Sequence, residues 1–339
     1  MSTTISATTD LESIDLSEAD EFEAGPPHAI LTRLREEAPV HLNRSRDEAP
    51  FWNITRHADV MAVTADERTF SSASPIAFMH DEKSILPVEV LQGMMINMDP
   101  PKHSRYRKIV RAAFTPKAMA HFGTQIQDLC TELVDGVVER GECEFVEDVA
   151  VTLPIAAICA VLGIPGADVR QLYHWTNVLI GAQDPTLRTS DEELFGALGE
   201  IGGYMAELVQ ERQRTPREDL LTRIIEAEVD GERLAFEELV SFFILLFGAG
   251  NETSRNTLSL GLRALIQHPD QKQRLIDDPD RIPQGLEEIF RWVTPLMHFR
   301  RTATVDTEIS GHPIAAGEKV VVWYASANRD ERAIEDPFR

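Results

Sequence analysis

The segment Ala249-Gly250-Asn251-Glu252-Thr253 places an acid beside a hydroxyl inside a long apolar helical pattern. Glycine costs about 1 kcal/mol in a helix interior, so its presence there indicates a special requirement. The Thr253 hydroxyl can bond the carbonyl oxygen of Ala249 four residues earlier, which loosens or bends a helix. The pattern predicts either a proton-delivery device, in which Glu252 and Thr253 face a cavity beside an opening at Gly250, or close helix packing with a polar edge.

Two further pairs have helical spacing. His103 and Arg107 are four residues apart, so they share a helix face and could hold the carboxylates of a ligand. They belong to the basic segment Lys102–Arg111, which could dock an acidic partner or form a solvated charged face. Glu288 and Arg291 can pair across one helical turn, although this spacing is common in helices.

The elements that carry these residues are predicted to be mainly α-helical, with small β-sheets. Helices are predicted at about 26–37, 57–67, 101–114, 116–140, 147–162, 167–182, 191–213, 217–228, 236–268, from 270, and 283–293. Short strands are predicted at 40–42, 51–54, 302–305, 308–310 and 319–322. Ser71–Met98 has no sustained period and is predicted to be a long loop, which in a compact domain is usually functional or mobile.

Charge and composition exclude several classes of protein. The 339 residues carry a formal net charge of −23, which argues against binding to nucleic acid or an anionic membrane. Three cysteines without CxxC spacing favour neither a disulfide framework nor a structural zinc site. The longest apolar run, Phe242–Gly250, is far short of the ~18 residues of a membrane span, so a soluble, cytoplasmic protein is expected. Met1–Gly25 contains seven acids and no Lys or Arg, which predicts a disordered tail before a single domain over 26–339.

The order and spacing of these groups resemble a bacterial cytochrome P450 from about Pro26 to the last residue. The resemblance implies an all-α cytochrome P450-like architecture and a haem-dependent monooxygenase that hydroxylates a C–H bond of a hydrophobic substrate with O2. Five segments in family order carry it: Met98–His103 with Arg107, Ala249–Thr253, Glu288 with Arg291, Phe299–Ala303, and Ser326–Glu331.

The resemblance also implies roles for individual residues. His103, Arg107 and Arg301 would bind the propionates of haem b. Glu252 and Thr253 would relay protons to iron-bound dioxygen, with Gly250, next to Ala249, opening the helix. Glu288 and Arg291 would form a structural pair, with Arg339 as its third partner. The basic segment would meet a ferredoxin-type electron donor, which is itself served by a reductase.

The Asn251-Glu252 variant of the motif resembles the subgroup that hydroxylates sterol side chains and methyl-branched lipids at the chain end. Ile180–Pro185 and Trp292–Pro295 point the same way. A sterol, terpenoid or branched lipid would fit adaptable methionines at the end of the 71–98 loop, Met94, Met95 and Met98. Further substrate-binding candidates are Gly248, Leu296, Met297 and Phe299.

The sequence departs from the family pattern at the iron ligand. The family's thiolate lies in an FxxGxxxCxG loop after the Asn-Arg-Asp-Glu segment, and these 339 residues end before such a loop. Cys130, Cys143 and Cys159 do not match it, so no metal-binding residue is assigned. Because thiolate ligation supplies the electron push for O–O cleavage, the expectation is an inactive, C-terminally truncated fragment. The absent segment would leave apolar surface on the long helix and the Glu288 helix.

One alternative belongs to a different functional class. The chain could be a haem-free ligand-binding or interaction protein that uses a cytochrome P450-like scaffold. The intact Ala249–Thr253 and Glu288–Arg291 motifs favour the monooxygenase over this alternative.

Overall fold

The computed structural model describes residues 10–45, 49–73, 91–165, 168–181, 190–228 and 230–339. Short 3-10 turns and a π-helix, Val146–Val151, accompany the α-helices. The α-helices are α1 (His28–Glu37), α2 (His57–Ala65), α3 (Lys102–Ala113), α4 (Pro116–Arg140), α5 (Thr152–Leu162), α6 (Val169–Gly181), α7 (Asp191–Arg214), α8 (Leu220–Glu226), α9 (Phe236–Gln267), α10 (Pro269–Asp277), α11 (Ile282–Val293) and α12 (Tyr324–Ala327). The strands are β1 (Val40–Asn43), β2 (Phe51–Ile54), β3 (Phe70–Ser71), β4 (His298–Ala303), β5 (Thr307–Ile309), β6 (His312–Ile314) and β7 (Lys319–Trp323).

The chain forms two units, and each is built from separate parts of the sequence. The described parts of Met1–Ser84, Ile96–Asp99 and Phe290–Arg339 form unit 1. The described parts of Ile85–Met95 and Pro100–Ile289 form unit 2. Because the chain passes between the units more than once, no single linker in the sequence could mark their boundary.

Unit 1 is organised around a five-stranded sheet in the order β1-β2-β7-β4-β3. The central strand β7 is buried along its whole length and pairs parallel to β2 and antiparallel to β4. Because strand side chains alternate between faces, Val320 and Val322 enter one apolar cluster while Val321 and Trp323 enter another. The sheet therefore has a hydrophobic core on both faces.

The prediction of a disordered tail through residue 25 is wrong for residues 10–25. Ile14 and Leu16 are fully buried in the second apolar cluster, and the Phe22 ring stacks on Trp323 at 5.7 Å. The Asn43 side chain accepts a 2.8 Å hydrogen bond from the Leu16 amide. Apolar side chains and a hydrogen bond from the backbone therefore dock this acidic segment on the sheet.

Unit 2 is helical, and its helix ends carry local signals. Ser190 and Glu193 form a reciprocal capping box at the start of α7. The Asp219 carboxylate accepts a 2.8 Å bond from the Thr222 amide and so caps α8. The longest helix, α9, packs against α5 and against the π-helix that immediately precedes α5. Phe242 and Phe247 of α9 are buried.

The mainly helical fold with small sheets agrees with the sequence, but some elements differ from prediction. Strand β4 starts at His298, whereas the sequence predicts a start at Thr302. The prediction missed the first residues because the charged Arg300, which is buried in the strand, interrupts the apolar pattern. The π-helix lies where an ordinary helix is predicted. In the predicted 71–98 loop, β3 and a 3-10 turn at Met95–Asn97 are formed, and 74–90 lie outside the described residues.

Large apolar side chains are exposed on the two helices where the sequence predicts such a surface. They include Leu260 and Ile266 on α9 and Ile282 and Leu286 on α11. None of the helices in the described residues combines the length and hydrophobicity that a membrane crossing requires.

Candidate functional site

The Ala249–Thr253 motif lies in the middle of α9, where the helix is continuous. The Thr253 hydroxyl donates to the Ala249 carbonyl oxygen at 2.7 Å, as the sequence predicts. Ala249 is exposed on unit 2 and Thr253 is half-buried, four residues further along the same helix face. This face of α9 therefore presents a hydroxyl beside a small side chain, with no bulky group of its own between them.

The two glycines of this region have different surroundings. A Cβ atom placed on Gly250 would lie 3.0 Å from Cδ1 of Ile158 on α5, which is tighter than ordinary packing. A Cβ atom on Gly248 would meet nothing within 4 Å. Gly250 therefore permits close approach of α5, which is the packing alternative left open by the sequence, while Gly248 borders open space.

Glu252 is held by two neighbours on its own helix. Arg255 lies one turn away, with Nη2 2.7 Å from Oε1 and 2.6 Å from Oε2 of the carboxylate. The Asn256 amide donates to Oε1 at 3.0 Å. Glu252 and Arg255 are both about one quarter exposed, so the pair is reached by solvent. Sequence reasoning missed Arg255, although its i+3 spacing from Glu252 indicates a pair.

Asn251 points away from this face, into unit 2. Its side chain is fully buried, and neither amide atom has a hydrogen-bond partner among the described residues. A buried amide without a partner costs free energy, so its presence needs an explanation beyond helix packing. The sequence offers no signal for this, because it does not show which side of α9 is enclosed.

The basic residues of α3 lie on two flanks of the helix. On one flank, Arg105 is paired with Glu232 and with Glu238, the latter at 3.2 Å, and Lys108 lies 2.9 Å from Asp230. These acids lie just before α9 or in its first turn. Burial and the nearby Glu238 carboxylate raise the pKa of Tyr106, which hydrogen-bonds that carboxylate. This flank is therefore occupied by the fold itself.

The other flank of α3 carries His103 and Arg107, one turn apart. His103 is half-buried and Arg107 is exposed, and neither makes an ion pair or side-chain hydrogen bond within the described part of the chain. An unpaired guanidinium can bind a carboxylate with two hydrogen bonds. The carboxylate-binding flank predicted from the sequence is therefore available.

The remaining cationic candidate, Arg301, lies on β4 in unit 1. Its side chain is half-buried and donates to the Arg300 carbonyl at 2.8 Å. Among the substrate candidates, Leu296 is exposed and Phe299 makes an edge contact with Tyr324 at 6.2 Å. Met297 is half-buried and packs against the apolar cluster that contains Trp323.

Arg291 anchors two segments of unit 1. Its Nη1 donates to the carbonyl oxygens of Asn328 at 2.8 Å and Pro337 at 2.9 Å. The predicted third partner, Arg339, lies in the same segment as Pro337, but the contact of Arg291 with that segment is made by the Pro337 carbonyl. Glu288 is exposed on α11 in unit 2.

The methionines at the end of the 71–98 segment are only partly accessible. Met94 and Met98 are buried, whereas Met95 is half-buried in a 3-10 turn. Of the predicted segment Ile180–Pro185, residues 182–185 lie outside the described residues.

The three cysteines are free thiols in separate places. Burial raises the pKa of Cys159 on α5 to about 12, and the nearby Asp168 carboxylate adds to the effect. Such a thiol resists the deprotonation that metal ligation requires. Cys130 lies within α4 and Cys143 is exposed after it.

Comparison with known proteins decides the family. The methyl-branched lipid omega-hydroxylase of Mycobacterium tuberculosis is 39% identical over 315 residues, covering 90% of this chain and 73% of that protein. A sequence profile of the cytochrome P450 family matches residues 171–339. The chain belongs to the cytochrome P450 family.

Two other relatives support the same assignment. The steroid C26-monooxygenase of Mycobacterium tuberculosis is 35% identical, covering 92% of this P450 and 73% of that protein. A cytochrome P450 of Mycobacterium marinum, solved in complex with pseudoionone, is 36% identical with a TM-score of 0.87, covering 98% and 84% of the two chains. The predicted P450 architecture and monooxygenase class are confirmed, and the haem-free alternative is not favoured.

The family implies a haem cofactor, redox partners and a hydrophobic substrate. The unpartnered His103–Arg107 flank suits the carboxylates of haem, and the open Ala249–Thr253 face carries the hydroxyl that the family motif requires. The His103–Arg107 flank therefore fits the carboxylates of haem, and the Ala249–Thr253 face fits the side of haem that binds oxygen.

Proposed function

We propose that this P450 hydroxylates a C–H bond near the chain end of a methyl-branched lipid or a sterol side chain. One atom of O2 enters the C–H bond, and the other leaves as water after two electrons and two protons are supplied. The observation that carries the oxygenase chemistry is the Thr253 hydroxyl, held at Ala249 on an otherwise open helix face. The names of the omega-hydroxylase and C26-monooxygenase relatives support the position of attack.

Haem b, when bound, supplies the iron centre at which dioxygen is activated. His103 and Arg107 would hold one part of its carboxylate periphery from α3, and Arg301 would contribute from β4. The two propionates are anionic and need hydrogen-bond donors or cations as partners. Neither His103 nor Arg107 is paired with an acidic side chain among the described residues. Arg301 has only a carbonyl partner there, so it keeps donors for a carboxylate.

Proton delivery is assigned to Glu252 and Thr253. The Glu252 side chain is about one quarter exposed, although its Oε2 atom is buried, and it is held by Arg255, so release from Arg255 would free the carboxylate to accept a proton. The Thr253 hydroxyl donates to the Ala249 carbonyl and keeps its oxygen lone pairs free to accept a hydrogen bond from the solvent side. Asn256 fixes the carboxylate near this path.

Substrate contacts are proposed at Met95, Gly248, Leu296 and Phe299. Gly248 adds no side chain to the open face, and Leu296 presents exposed apolar surface. Met297 is proposed as a further contact, because it is only half-buried where it packs beside the Trp323 cluster.

A ferredoxin-type protein, with its reductase, is proposed as the electron donor. Lys102 and Arg111 of α3 are exposed and have no acidic partner among the described residues, so they keep their positive charge on a chain of net charge −23. An acidic partner would therefore be attracted to α3 and repelled by the negatively charged remainder of the surface. Arg105 and Lys108 do not add to this positive charge, because they are neutralised by Glu232, Glu238 and Asp230.

We further propose that none of Cys130, Cys143 and Cys159 binds the haem iron. Cys159 is buried with a raised pKa, and the other two lie outside the family's ligand loop. The polypeptide of these 339 residues, loaded with haem and reduced under carbon monoxide, is expected to show no thiolate-type Soret band. A clear thiolate band that is lost on changing one of the three cysteines to serine would contradict this.

The substrate proposal is tested by product analysis on the native protein, purified with its haem and supplied with ferredoxin, reductase and 18O2. A methyl-branched fatty acid and cholesterol are each compared with the linear fatty acid of equal carbon number. The expected product is a terminal alcohol carrying one 18O atom, formed faster from the branched chains. Mid-chain products, or equal rates with the linear acid, would refute the proposed substrate class.

A further inference from the structure

Unit 2 contains a cleft that shares no residue with the motifs described above. It is a cleft of about 850 Å³ between α4, the π-helix and the starts of α5 and α6. Its volume lies within the range of small-molecule pockets. One wall is the π-helix Val146–Val151, an element that in proteins often marks functional sites.

The cleft combines an apolar floor with an open gap in one helix. Leu133, Val151 and Ile155 line it, and the last two are buried. Gly136 on α4 also lines it, and a Cβ atom placed there would meet nothing within 4 Å. The floor can therefore receive an alkyl chain. A larger side chain at Gly136 would occupy the space that this alkyl chain needs.

The charges around this floor are mostly negative. Glu132, Glu139 and Glu147 line the cleft and make no side-chain hydrogen bond or ion pair within the part of the chain that the structure describes. The fourth acid, Asp148, is neutralised by Arg140 at 3.0 Å. Arg170 offsets one of the remaining carboxylates, so the lining keeps an excess of negative charge.

We propose that this cleft binds a small amphiphilic organic cation. Its alkyl part would lie on Leu133, Val151 and Ile155, and its ammonium group would lie among the three glutamates. Tyr173 also lines the cleft and adds an aromatic ring of the kind that attracts quaternary ammonium groups. An anion or a neutral lipid would not compensate the charge of the glutamates. The ligand of this cleft therefore differs in charge from the neutral or anionic substrates proposed for the oxygenase site.

The test is calorimetric titration of the 339-residue chain with octyltrimethylammonium, which has no lone pair and so cannot coordinate a haem iron. Octanesulfonate, with the same alkyl length and opposite charge, serves as the ligand control. Saturable 1:1 binding of the cation is expected, at least tenfold stronger than binding of the sulfonate. Equal affinities, or no saturable binding, would overturn the proposal.

Two matched pairs of variants locate the binding. Gly136→Leu should weaken cation binding at least tenfold, whereas Gly123→Leu, on the same helix with equally open surroundings but outside the cleft, should leave it within twofold. Glu132→Gln should weaken binding about two- to fivefold, as expected for a partly exposed charge, and Asp135→Asn should not. Undiminished binding by a Gly136→Leu protein that is folded, as checked by circular dichroism, would refute this location. If Gly136→Leu does not fold, the comparison of Glu132→Gln with Asp135→Asn tests the location, and equal binding by these two variants would refute it.

Discussion

Helices α3 and α9 of unit 2 each divide their chemically active residues between an occupied side and an open side. On α3, Arg105 and Lys108 are paired with acids of the same unit, while His103 and Arg107, on the opposite flank, have no partner among the described residues. On α9, Gly250 lies against Ile158 and Asn251 is fully buried, while Ala249 is exposed and Thr253 is half-buried on the other face.

The difference teaches which residues the fold needs and which it leaves for a ligand. Removing a side chain on an occupied side breaks contacts that already stabilise the protein. Removing one on an open side breaks nothing in the apoprotein, so its effect should appear only when haem or substrate is present. The following variants test this separation, starting with the largest expected effect.

Arg107→Ala should weaken haem binding by about 10- to 100-fold, because one charge-assisted hydrogen bond contributes about 1.5–3 kcal/mol. The free energy of unfolding of the apoprotein should change by no more than about 0.5 kcal/mol. Haem titration followed by Soret absorbance measures the first quantity, and urea unfolding the second. Arg111→Ala removes the same charge from the same helix and should leave haem affinity nearly unchanged; equal losses in both variants would mean that only net charge matters.

Gly250→Leu should destabilise unit 2 by about 1–3 kcal/mol, since overpacking a tight contact has that cost. The matched variant Gly248→Leu meets open space, so the gain in helix propensity should leave stability equal or higher. Urea unfolding of both variants provides the comparison. Similar losses in the two proteins would show that the contact with Ile158 is not what distinguishes the glycines.

Arg105→Ala should destabilise the apoprotein by about 1 kcal/mol, because it leaves the partly buried Glu238 without this partner. The loss should shrink in 0.5 M salt, where a pair that is partly exposed is screened. Lys108→Ala, whose pair with Asp230 is largely exposed, should cost less than about 0.5 kcal/mol. Thermal unfolding at two salt concentrations measures both, and a salt-independent loss would point to packing instead.

Asn251→Leu should leave stability unchanged or raise it by up to about 1 kcal/mol, because it replaces an amide without a partner by an apolar side chain of similar size. Asn256→Leu is the control, since Asn256 bonds Glu252 and its loss should not stabilise. A loss above about 1 kcal/mol in Asn251→Leu would show that ordered water satisfies the amide. Urea unfolding again provides the measurement.

Local sequence signals determined the helical elements, because apolar periodicity and capping residues act over one or two turns. The bounds predicted for α4 and α9 agree with the structure within one residue. The bond from Thr253 to Ala249 was likewise predictable, since its geometry is set inside one helix. The family motifs located the candidate site for the same reason.

Only the tertiary structure decided which side of each element is enclosed. The charge of Arg300 concealed the start of β4, and Ile14 and Leu16 joined the core from a segment that is acidic overall. The acids that occupy Arg105 lie more than 100 residues away in sequence. Burial and ion pairing depend on residues that are distant along the chain, and a local pattern carries no information about such neighbours.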